Sequence, residues 1–308
     1  MCAIAALVAT GVVAGCSGPN APGSGEPRTP SSHASGSPGR SSSPAYTATS
    51  EPAVAVPRPA HVVVVVMENH PYGSIIGSPA APYINHLARQ GALLTSSYAI
   101  THPSEPNYLA LFSGSTHGVT SDQCPVTLHA PNLASDLIAA GLTFSGYSEG
   151  LPATGSRVCA AGEYARKHVP WADFTNVPRS DSQTFRRFAT TPFAKLPAVS
   201  FVIPNLCHDM HDCSVATGDS WLRSHIQPYA LWALHHDSLL IVTWDEDDGS
   251  SSNHIATIVV GQLVRPGRYG RKVDHYNVLR TIEQAYGLPF RGAAATHYPI
   301  SFIWRRPG

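Results

Sequence analysis

Charged residues are scarce in this sequence of 308 residues: Asp, Glu, Lys and Arg make up 13%, against 43% hydrophobic residues. Acidic and basic side chains balance at 20 each, so the formal net charge is zero. Nucleic acids and anionic membranes select clustered basic surfaces. The overall charge therefore gives no case for either partner, and we expect no nucleic-acid binding. The apolar content is sufficient for a sizeable core.

Several familiar sequence signals are also absent. No CxxC pair is present, which argues against a cysteine-rich zinc site. The acidic run near residue 245 lacks the glycine that an EF-hand loop requires at its sixth position. Internal repeats of about 20–50 residues, typical of solenoids and propellers, are missing. The sequence thus predicts an ordinary globular domain.

The N-terminal region reads as an export signal followed by a tether. The first 16 residues, MCAIAALVATGVVAGC, are apolar and end in small residues before Cys16. This stretch is shorter than the roughly 20 residues of a membrane-spanning helix and resembles a bacterial lipoprotein signal. Residues 17–59 are rich in Ser, Pro and Gly, which predicts a disordered tether. We expect a folded domain over residues 60–308, anchored to the cell envelope through Cys16 or released outside the cell. A buried N-terminal helix is the disfavoured alternative.

Cysteine usage agrees with export. Cys124, Cys159, Cys207 and Cys213 form an even set, which suggests two disulfides in an oxidising compartment. A Cys207–Cys213 bond would close a tight local loop, and a Cys124–Cys159 bond would join two loops. The sequence does not fix the connectivity, although the short loop is favoured.

The folded region alternates between two kinds of pattern. Continuous β-branched or apolar runs, expected for buried strands, occur at residues 62–67, 142–147 (a weaker run), 198–203, 239–244 and 255–260. Helical spacing of apolar residues occurs at Pro82–Gln90, Pro131–Ala140, Gly218–Leu234 and His275–Tyr286. Alternating strands and helices predict an α/β sandwich around a mostly parallel sheet.

Polar residues directly follow three of the predicted strands. Glu68 and Asn69 follow the first, the segment Cys207–Cys213 comes shortly after the third, and four consecutive acids from Asp245 to Asp248 follow the fourth. Ligands of open α/β sheets bind beyond the carboxyl ends of the strands. The four acids are either a solvated loop or metal ligands. Their position after a buried strand favours hard-oxygen coordination of a divalent cation.

A second constellation surrounds Ser104 in the segment His102-Pro103-Ser104-Glu105-Pro106-Asn107. Pro106 suits the first turn of a helix, which places Ser104 at or just before the helix N-terminus. Free N–H groups and the helix dipole favour a phosphate there. Ser104 is therefore either a helix N-cap or a nucleophile for phosphoryl transfer.

Histidines supply the third group of candidates. His208 and His211 lie in the polar loop between Cys207 and Cys213, where they could contact phosphate oxygens or protonate a leaving alkoxide. A surface loop with one functional histidine is the alternative. His254 lies between the acidic run and the next strand and could face the same edge, whereas His275 could simply begin a helix.

These segments together resemble a known family. VVVVVMENH, THPSEPNYLALFSG, SFVIPNLCHDMHD, LLIVTWDEDDG and NHIATIVVG are similar, in this order, to motifs of the phosphoesterase family. That family includes bacterial phospholipases C and secreted actinobacterial acid phosphatases, and it belongs to the alkaline-phosphatase-like superfamily. The resemblance covers residues 60–305 and implies a three-layer α/β/α sandwich that hydrolyses phosphate esters.

The resemblance also implies roles for individual residues. One divalent ion, with Ca²⁺ or Mg²⁺ favoured and Zn²⁺ or Mn²⁺ as alternatives, would be held by Glu68, Asn69, Ser104, Asp245 and Glu246. The nucleophile would be Ser104, and the general acid would be His211 or His254. Substrate contacts would come from Asn69, His102, Asn107, Asp209 and His275.

The implied function is that of an exported, metal-dependent acid phosphatase acting through a phosphoserine intermediate, most active at acidic pH. Its substrate would be a small phosphomonoester, with phosphoinositides and nucleotides among the candidates, and the enzyme would be monomeric. A phospholipase C-type phosphodiesterase is the alternative. A non-catalytic metal-binding surface lipoprotein is a third possibility, which leaves the motif around Ser104 unexplained.

Overall fold

The computed structural model describes residues 55–306. The predicted lipoprotein signal and most of the predicted tether lie outside the described residues. Within them, Val56 already packs against the core, and the Ala60 N–H donates to the Asp237 carbonyl over 2.6 Å. The packed domain therefore includes the last residues of the segment expected to be the tether.

A central sheet dominates the described region. The strands are β1 (His61–Met67), β2 (Ala92–Tyr98), β3 (Phe144–Ser148), β4 (Ala160–Ala161), β5 (Tyr164–Ala165), β6 (Ser182–Thr184), β7 (Val199–Ile203), β8 (Ser238–Trp244), β9 (His254–Gly261), β10 (Gly267–Tyr269) and β11 (Val273–Asp274). Nine of them form one sheet in the order β10-β2-β9-β8-β1-β7-β3-β6, with β11 also paired to β2. The pair β4 and β5 forms a small separate hairpin.

Helices cover the sheet on both faces. They are α1 (Tyr72–Ile75), α2 (Pro82–Gln90), α3 (Ser104–Ser113), α4 (Leu133–Ala139), α5 (Phe185–Thr190), α6 (Val215–His225), α7 (Gln227–Ala233) and α8 (His275–Tyr286), with short 3-10 turns between them. None of the helices within residues 55–306 is long and apolar enough to cross a membrane.

The strand directions bring the predicted site residues to one edge of the sheet. β1 pairs in parallel with both β7 and β8, so residues following these three strands emerge at the same edge. β9 runs antiparallel to β8 and β2, and His254 at its start pairs with Tyr98 at the end of β2. The first residue of β9 therefore lies at the edge where its neighbours end. The predicted mostly parallel sheet is confirmed.

Alternation along β1 explains the three layers. Val62, Val64 and Val66 enter one core cluster, together with residues of α3, α4 and α8. Val63, Val65 and Met67 enter the other cluster, with residues of α1, α2, α6 and α7. A strand buried on both faces needs apolar side chains at every position, which is why this run does not alternate with polar residues. The predicted α/β/α sandwich is thus confirmed.

Two details of the secondary structure differ from the expectation. The single helix predicted over Gly218–Leu234 is two helices, α6 and α7, separated at Ile226. Pro228 lies in the first turn of α7, where its missing N–H would interrupt a continuous helix. Strand β2 was not predicted, because its sequence ALLTSSY loses its apolar character in its second half.

Both disulfides form as the even cysteine count suggested. Cys124–Cys159 joins two loops, and Cys207–Cys213 closes the short loop that carries His208 and His211. The two bonds therefore fix loops that follow the sheet at the edge where the strands end.

The buried carboxyl of Glu283 on α8 leads to a prediction about stability that does not depend on the predicted active site. Burial raises its pKa to about 8, its Oε1 accepts the Arg291 N–H over 2.9 Å, and its Oε2 has no hydrogen bond within the described part of the chain. A carboxyl whose pKa is raised on folding binds more protons in the native state. Its contribution to stability is therefore complete below the unfolded pKa and lost as pH rises toward about 8.

We expect Glu283→Gln to be more stable than wild type by on the order of 2–4 kcal/mol at about pH 8.5, and equally stable at about pH 4. Urea unfolding at the two pH values measures the difference. A variant that is equally destabilised at both would show that the carboxylate is well accommodated.

Candidate active site

Backbone hydrogen bonds tie the three predicted strand ends together. The Glu68 N–H donates to the Asp209 carbonyl over 2.8 Å, and the Asp245 N–H donates to the Met67 carbonyl over 2.9 Å. Asn69 adopts a left-handed conformation with φ 55°, which asparagine tolerates better than most residues. Its N–H donates to Asp245 Oδ1 over 3.1 Å. Glu68, Asp209 and Asp245 are thereby brought to one place, all buried.

Ser104 begins helix α3 and faces these carboxylates. Its Oγ lies 3.0 Å from Glu68 Oε2 and 3.2 Å from Glu246 Oε1, and the hydroxyl hydrogen can be donated to only one of them at a time. The N-cap position is occupied by Pro103, which offers no side-chain cap. The interpretation of Ser104 as a helix cap is therefore wrong, and its buried hydroxyl is oriented by two acids.

Asn107, one turn into α3, holds in place the chain segment that precedes Ser104. Its Oδ1 accepts the N–H groups of Ile100 and Thr101, both over 3.0 Å. Its Nδ2 donates to the Thr101 carbonyl over 2.8 Å and lies 3.3 Å from Glu246 Oε2. These contacts support a positioning role for Asn107.

His102 lies at the mouth of the site. Its side chain is 44% exposed, with Nδ1 2.7 Å from Glu246 Oε2 and Nε2 3.3 Å from Asp247 Oδ1. This placement suits contact with an incoming substrate.

The four consecutive acidic residues differ in their burial and in their contacts. Asp245 and Glu246 are buried beside Ser104, whereas Asp248 is exposed. Asp247 organises the following loop: its carboxylate accepts the N–H groups of Gly249, Ser251 and Asn253 over 2.7, 2.9 and 2.8 Å. The run is therefore neither a simple solvated loop nor a set of four equivalent ligands.

Two of the predicted histidines contact the backbone. His275 at the start of α8 is buried, and its Nε2 donates to the Asp245 carbonyl over 2.7 Å. His254 lies between the rings of Tyr72 and Tyr98, with centroid distances of 4.6 and 5.0 Å, and its Nε2 lies 3.1 Å from the Thr95 carbonyl. These contacts place His275 behind Asp245 and hold the His254 ring between Tyr72 of α1 and Tyr98 of β2.

His168 is a site residue that the sequence did not single out. It lies in the 3-10 turn Arg166–His168, is buried, and stacks on Tyr108 at 5.2 Å. Its Nε2 is 3.3 Å from Glu68 Oε1 and its Nδ1 is 3.2 Å from Asp209 Oδ2. Tyr108 also donates a short hydrogen bond to Glu68 Oε1. Burial, with Lys167 and His211 nearby, holds the pKa of His168 well below its usual value. The ring is thus neutral and able to bind a metal.

Lys167 brings a positive charge to this acidic site. Its Nζ donates to Asp122 Oδ2 over 2.9 Å and lies 3.2 Å from His211 Nε2. Burial would lower its pKa, but the hydrogen bond to Asp122 and the carboxylates of Glu68 and Asp245 raise it overall. Lys167 is therefore a stable cation. No sequence signal pointed to it, since it lies in a short 3-10 turn and follows none of the strands predicted from the sequence.

The buried carboxylates of Glu68, Asp209 and Asp245 repel one another, and a bound cation would relieve this repulsion. Burial, then Asp245 and Asp209, raise the pKa of Glu68 well above its usual value. Burial, then Glu246, do the same for Asp245, and burial raises the pKa of Asp209 to about 7. Buried like charges of this kind are stable as anions only when paired or bound to a metal.

The donor atoms fit a divalent metal. One atom each from Glu68, His168 and His211 lies within 4.8 Å of the others. In the part of the chain that is described, Asp245 Oδ2, Asp209 Oδ2 and His168 Nε2 are buried without a hydrogen bond. Glu68 belongs both to this group and to the expected set with Asp245 and Glu246. The residues present thus offer donor atoms of the kinds that divalent cations bind.

Comparison with known sequences gives a consistent result. A sequence model of the Phosphoesterase family matches residues 78–289. A phosphatidylinositol-3-phosphatase of Mycobacterium tuberculosis is 56% identical over 254 residues, which cover 82% of this chain and 85% of that protein. An acid phosphatase of Aspergillus fumigatus is 32% identical over 226 residues, which cover 67% of this chain and 51% of that protein.

Solved structures show the same fold at low sequence identity. A protein in the alkaline phosphatase superfamily from Vibrio parahaemolyticus has a TM-score of 0.54 at 15% identity, covering 78% of this chain and 70% of its own. A phosphonate monoester hydrolase from Silicibacter pomeroyi has a TM-score of 0.52 at 11% identity, covering 80% and 78%. These structures indicate an alkaline-phosphatase-like architecture.

Proposed function

This chain belongs to the phosphoesterase family, and we propose that it is an exported, metal-dependent acid phosphatase that hydrolyses phosphomonoesters through a phosphoserine. Relatives named as phosphatases support the general activity. The observation that carries the mechanism is the buried Ser104 hydroxyl held between Glu68 and Glu246. The name of the mycobacterial relative makes phosphoinositide monoesters the leading substrate class.

We assign the metal to the residues around Glu68. The expected ligands Glu68, Asn69, Ser104, Asp245 and Glu246 supply oxygen, and His168 adds an imidazole nitrogen, while His211 is kept for proton transfer. Oxygen donors suit Ca²⁺ and Mg²⁺, whereas an imidazole ligand favours Zn²⁺ or Mn²⁺. Such an ion would act as a Lewis acid that stabilises negative charge on the phosphoryl oxygens and on Ser104.

The chain's own groups perform the first half-reaction. Ser104 Oγ gives its proton to the carboxylate of Glu68 or Glu246 and attacks phosphorus. The new Ser104 O–P bond forms as the bond to the leaving oxygen breaks. His211 donates a proton to that oxygen, and the Asp212 carboxylate, 2.6 Å from His211 Nδ1, orients the ring. A protonated histidine is needed at this step, which agrees with an acidic optimum.

Water completes the cycle. His211, now neutral, takes a proton from water as the water oxygen attacks phosphorus, and the Ser104 O–P bond breaks to release phosphate. The Ser104 oxygen recovers the proton from the neighbouring carboxyl. Lys167 and the N-terminus of the ten-residue helix α3 supply positive potential for the phosphoryl oxygens.

Two of the predicted substrate contacts stay in this proposal, and the other three are given positioning roles instead. His102 at the mouth and Asn69 at the end of β1 would contact substrate, while Asp209 orients His168. His275 and Asn107 would position Asp245 and the Ser104 loop through the contacts described above. His254 is a weaker candidate for the general acid than His211, because its ring is already engaged by Tyr72 and Tyr98.

Export through the Cys16 signal also remains a proposal. It is supported by the two disulfides, since such bonds persist in oxidising compartments.

A comparison of substrates tests the proposed function. We expect kcat/KM for p-nitrophenyl phosphate and a short-chain phosphatidylinositol 3-phosphate to exceed that for p-nitrophenyl phosphorylcholine by at least about 100-fold, because Lys167 and His102 line a mouth suited to a doubly charged terminal phosphate. Equal or greater activity on the phosphorylcholine diester would favour a phospholipase C-type enzyme. Metal binding without hydrolysis of any of them would contradict the phosphatase assignment.

A further inference from the structure

The zero net charge conceals a strong segregation of charge along the chain. Residues 69–104, 249–273 and 284–308 contain no Asp or Glu. The basic residues in these three segments are Arg89, Arg265, Arg268, Arg271, Lys272, Arg291, Arg305 and Arg306. Because acids and bases total 20 each, the rest of the chain carries the matching excess of acids.

The fold gathers the acid-free segments at one edge of the sheet. β2, from the first segment, pairs with β9 and β10 from the second and with β11, which begins at the last residue of that segment and ends at Asp274. The third segment joins them through the Val264–Trp304 bridge and the Arg305 N–H, which donates to the Leu263 carbonyl over 2.8 Å. Residues that are far apart in sequence thus form one continuous surface.

We call this surface the basic edge and define it by five exposed cations: Arg89, Arg268, Arg271, Lys272 and Arg305. Among residues 55–306, no carboxylate forms an ion pair with any of these five. Asp274, at the end of β11, is the acid of this edge and lies 3.2 Å from His297 Nε2. The five cations outnumber it and give a positive field that the neutral total does not reveal.

Aromatic residues contact three of these five cations. The Arg271 guanidinium lies 3.7 Å from the ring centroid of Tyr298, and Lys272 Nζ lies 5.1 Å from that of Tyr98. Arg268 donates to the Tyr72 hydroxyl over 3.0 Å. Since cations already cover Tyr298 and Tyr98, less ring surface remains for stacking nucleic-acid bases. Half-buried aromatic residues beside exposed cations are instead typical of membrane interfaces.

A cleft of about 550 Å³ opens on the same edge, between α1, α2 and β10. Arg89 and Arg268 line it together with Tyr72, Asn85 and small apolar residues. Its size is within the range of small-molecule sites, and two guanidinium groups suit a phosphate-bearing headgroup.

The basic edge continues to the mouth of the active site. Tyr98 under Lys272 stacks on His254 at 5.0 Å. The preceding residue, Asn253, donates from Nδ2 to the Thr101 carbonyl over 2.7 Å, one residue before His102. A flat anionic partner lying on the basic edge would therefore reach the site.

We infer that the basic edge docks the protein on an anionic lipid surface, with a phospholipid headgroup in the cleft and the Ser104 site facing the membrane. The choice of lipid over other polyanions rests on the proposed function, in which the substrate is a phosphoinositide carried in such a surface. Docking would raise the local concentration of substrate without changing the chemistry at Ser104.

Vesicle cosedimentation of the full chain tests this inference. The protein would carry Cys16→Ser so that no acyl chain contributes, and vesicles of phosphatidylcholine alone would report binding by the N-terminal segment that all variants share. Adding phosphatidylserine should strengthen binding at least about tenfold. Arg268→Glu/Arg271→Glu/Lys272→Glu should weaken that binding on the order of 100-fold, since each cation near an anionic membrane contributes about fivefold.

A matched control reverses the same number of charges elsewhere. Arg186, Arg187 and Arg223 are exposed on α5 and α6, so Arg186→Glu/Arg187→Glu/Arg223→Glu should bind vesicles like wild type. All three proteins should hydrolyse p-nitrophenyl phosphate within about twofold of one another, which also verifies folding. Should the edge variant not fold, raising salt from about 50 to about 500 mM on wild type should release it from the vesicles.

Three results would overturn the inference. These are equal binding to neutral and anionic vesicles, wild-type binding by the edge variant, and binding to single-stranded DNA or heparin without binding to vesicles. Cosedimentation does not depend on turnover. An inactive protein that still docked would count against the proposed function and in favour of the basic edge.

Discussion

Ser104→Ala is expected to lower kcat/KM for phosphomonoesters at least about 1,000-fold, because no other side chain can form the ester bond to phosphorus in its place. The hydroxyl lies 3.0 Å from Glu68 and 3.2 Å from Glu246, so its removal takes away the atom that both carboxylates orient. The variant should fold normally, since the change leaves a small gap and no unpaired donor. Steady-state kinetics with circular dichroism would measure both properties.

Ser113→Ala is the matched control for this substitution. Ser113 is also buried and lies at the other end of the same helix, where its Oγ donates to the Leu109 carbonyl over 2.8 Å. We expect it to retain activity within a few-fold of wild type. More than about a thousandth of wild-type activity in a clean preparation of Ser104→Ala would defeat the nucleophile assignment.

Glu68→Gln is expected to lower activity strongly. The same change should leave the metal-free protein as stable as wild type or more stable. Glu68 is buried beside Asp245 and Asp209, and burial with these neighbours raises its pKa. In the metal-free protein near neutral pH, a neutral amide removes this repulsion, so the variant should be as stable as wild type or more so. With metal, a shared ligand is lost, so activity should fall on the order of 1,000-fold.

Thermal unfolding with and without a divalent metal measures the stability half of this prediction. Zn²⁺, Mn²⁺, Ca²⁺ or Mg²⁺ that binds the folded state should raise the Tm of wild type, and chelation should reverse the rise and stop turnover. Glu68→Gln should lose most of that rise. Glu149→Gln is the control, because Glu149 also follows a strand but engages His208 and Asn205 outside the metal-binding residues. Full wild-type activity after exhaustive chelation would rule out the metal.

Much of the fold could be predicted because its signals are local. The uninterrupted run at β1 and the apolar spacing of α2 and α8 identify buried elements, and the two helices have the predicted bounds. Polar residues directly after such runs identify the edge of the sheet where Glu68 and Asp245 meet. The helix start at Ser104 was predictable for the same reason, since a proline in the first turn is a local signal. The nucleophile role proposed for Ser104 came instead from the family resemblance and from the neighbouring strand-end residues.

The remaining site residues could not be predicted because their positions depend on tertiary contacts. His168 and Lys167 lie in a 3-10 turn that follows the two-residue strand β5, and this strand is too short to give an apolar run or a periodic pattern in the sequence. The break between α6 and α7 at Ile226 was missed because apolar spacing continues through it.

The spatial arrangement of the charges could not be predicted from the sequence either. A net charge of zero argued against an anionic partner, yet that sum contains no information on how charges are arranged. Only the pairing of β2 with β9 and β10 brings the acid-free segments together. The basic edge is therefore a property of the fold, and its cations could not be recognised as one surface before the strand order was known.

The most direct test of the central claim is to find the phosphoryl group during turnover. Wild-type enzyme would be mixed with p-nitrophenyl phosphate, quenched in acid at a series of short times, digested, and examined by peptide mass spectrometry. One phosphoserine is expected, at Ser104, in the peptide that contains helix α3, and none in Ser104→Ala. A phosphoryl group on any other residue, or rapid turnover with Ser104 unmodified at every time sampled, would contradict the central claim.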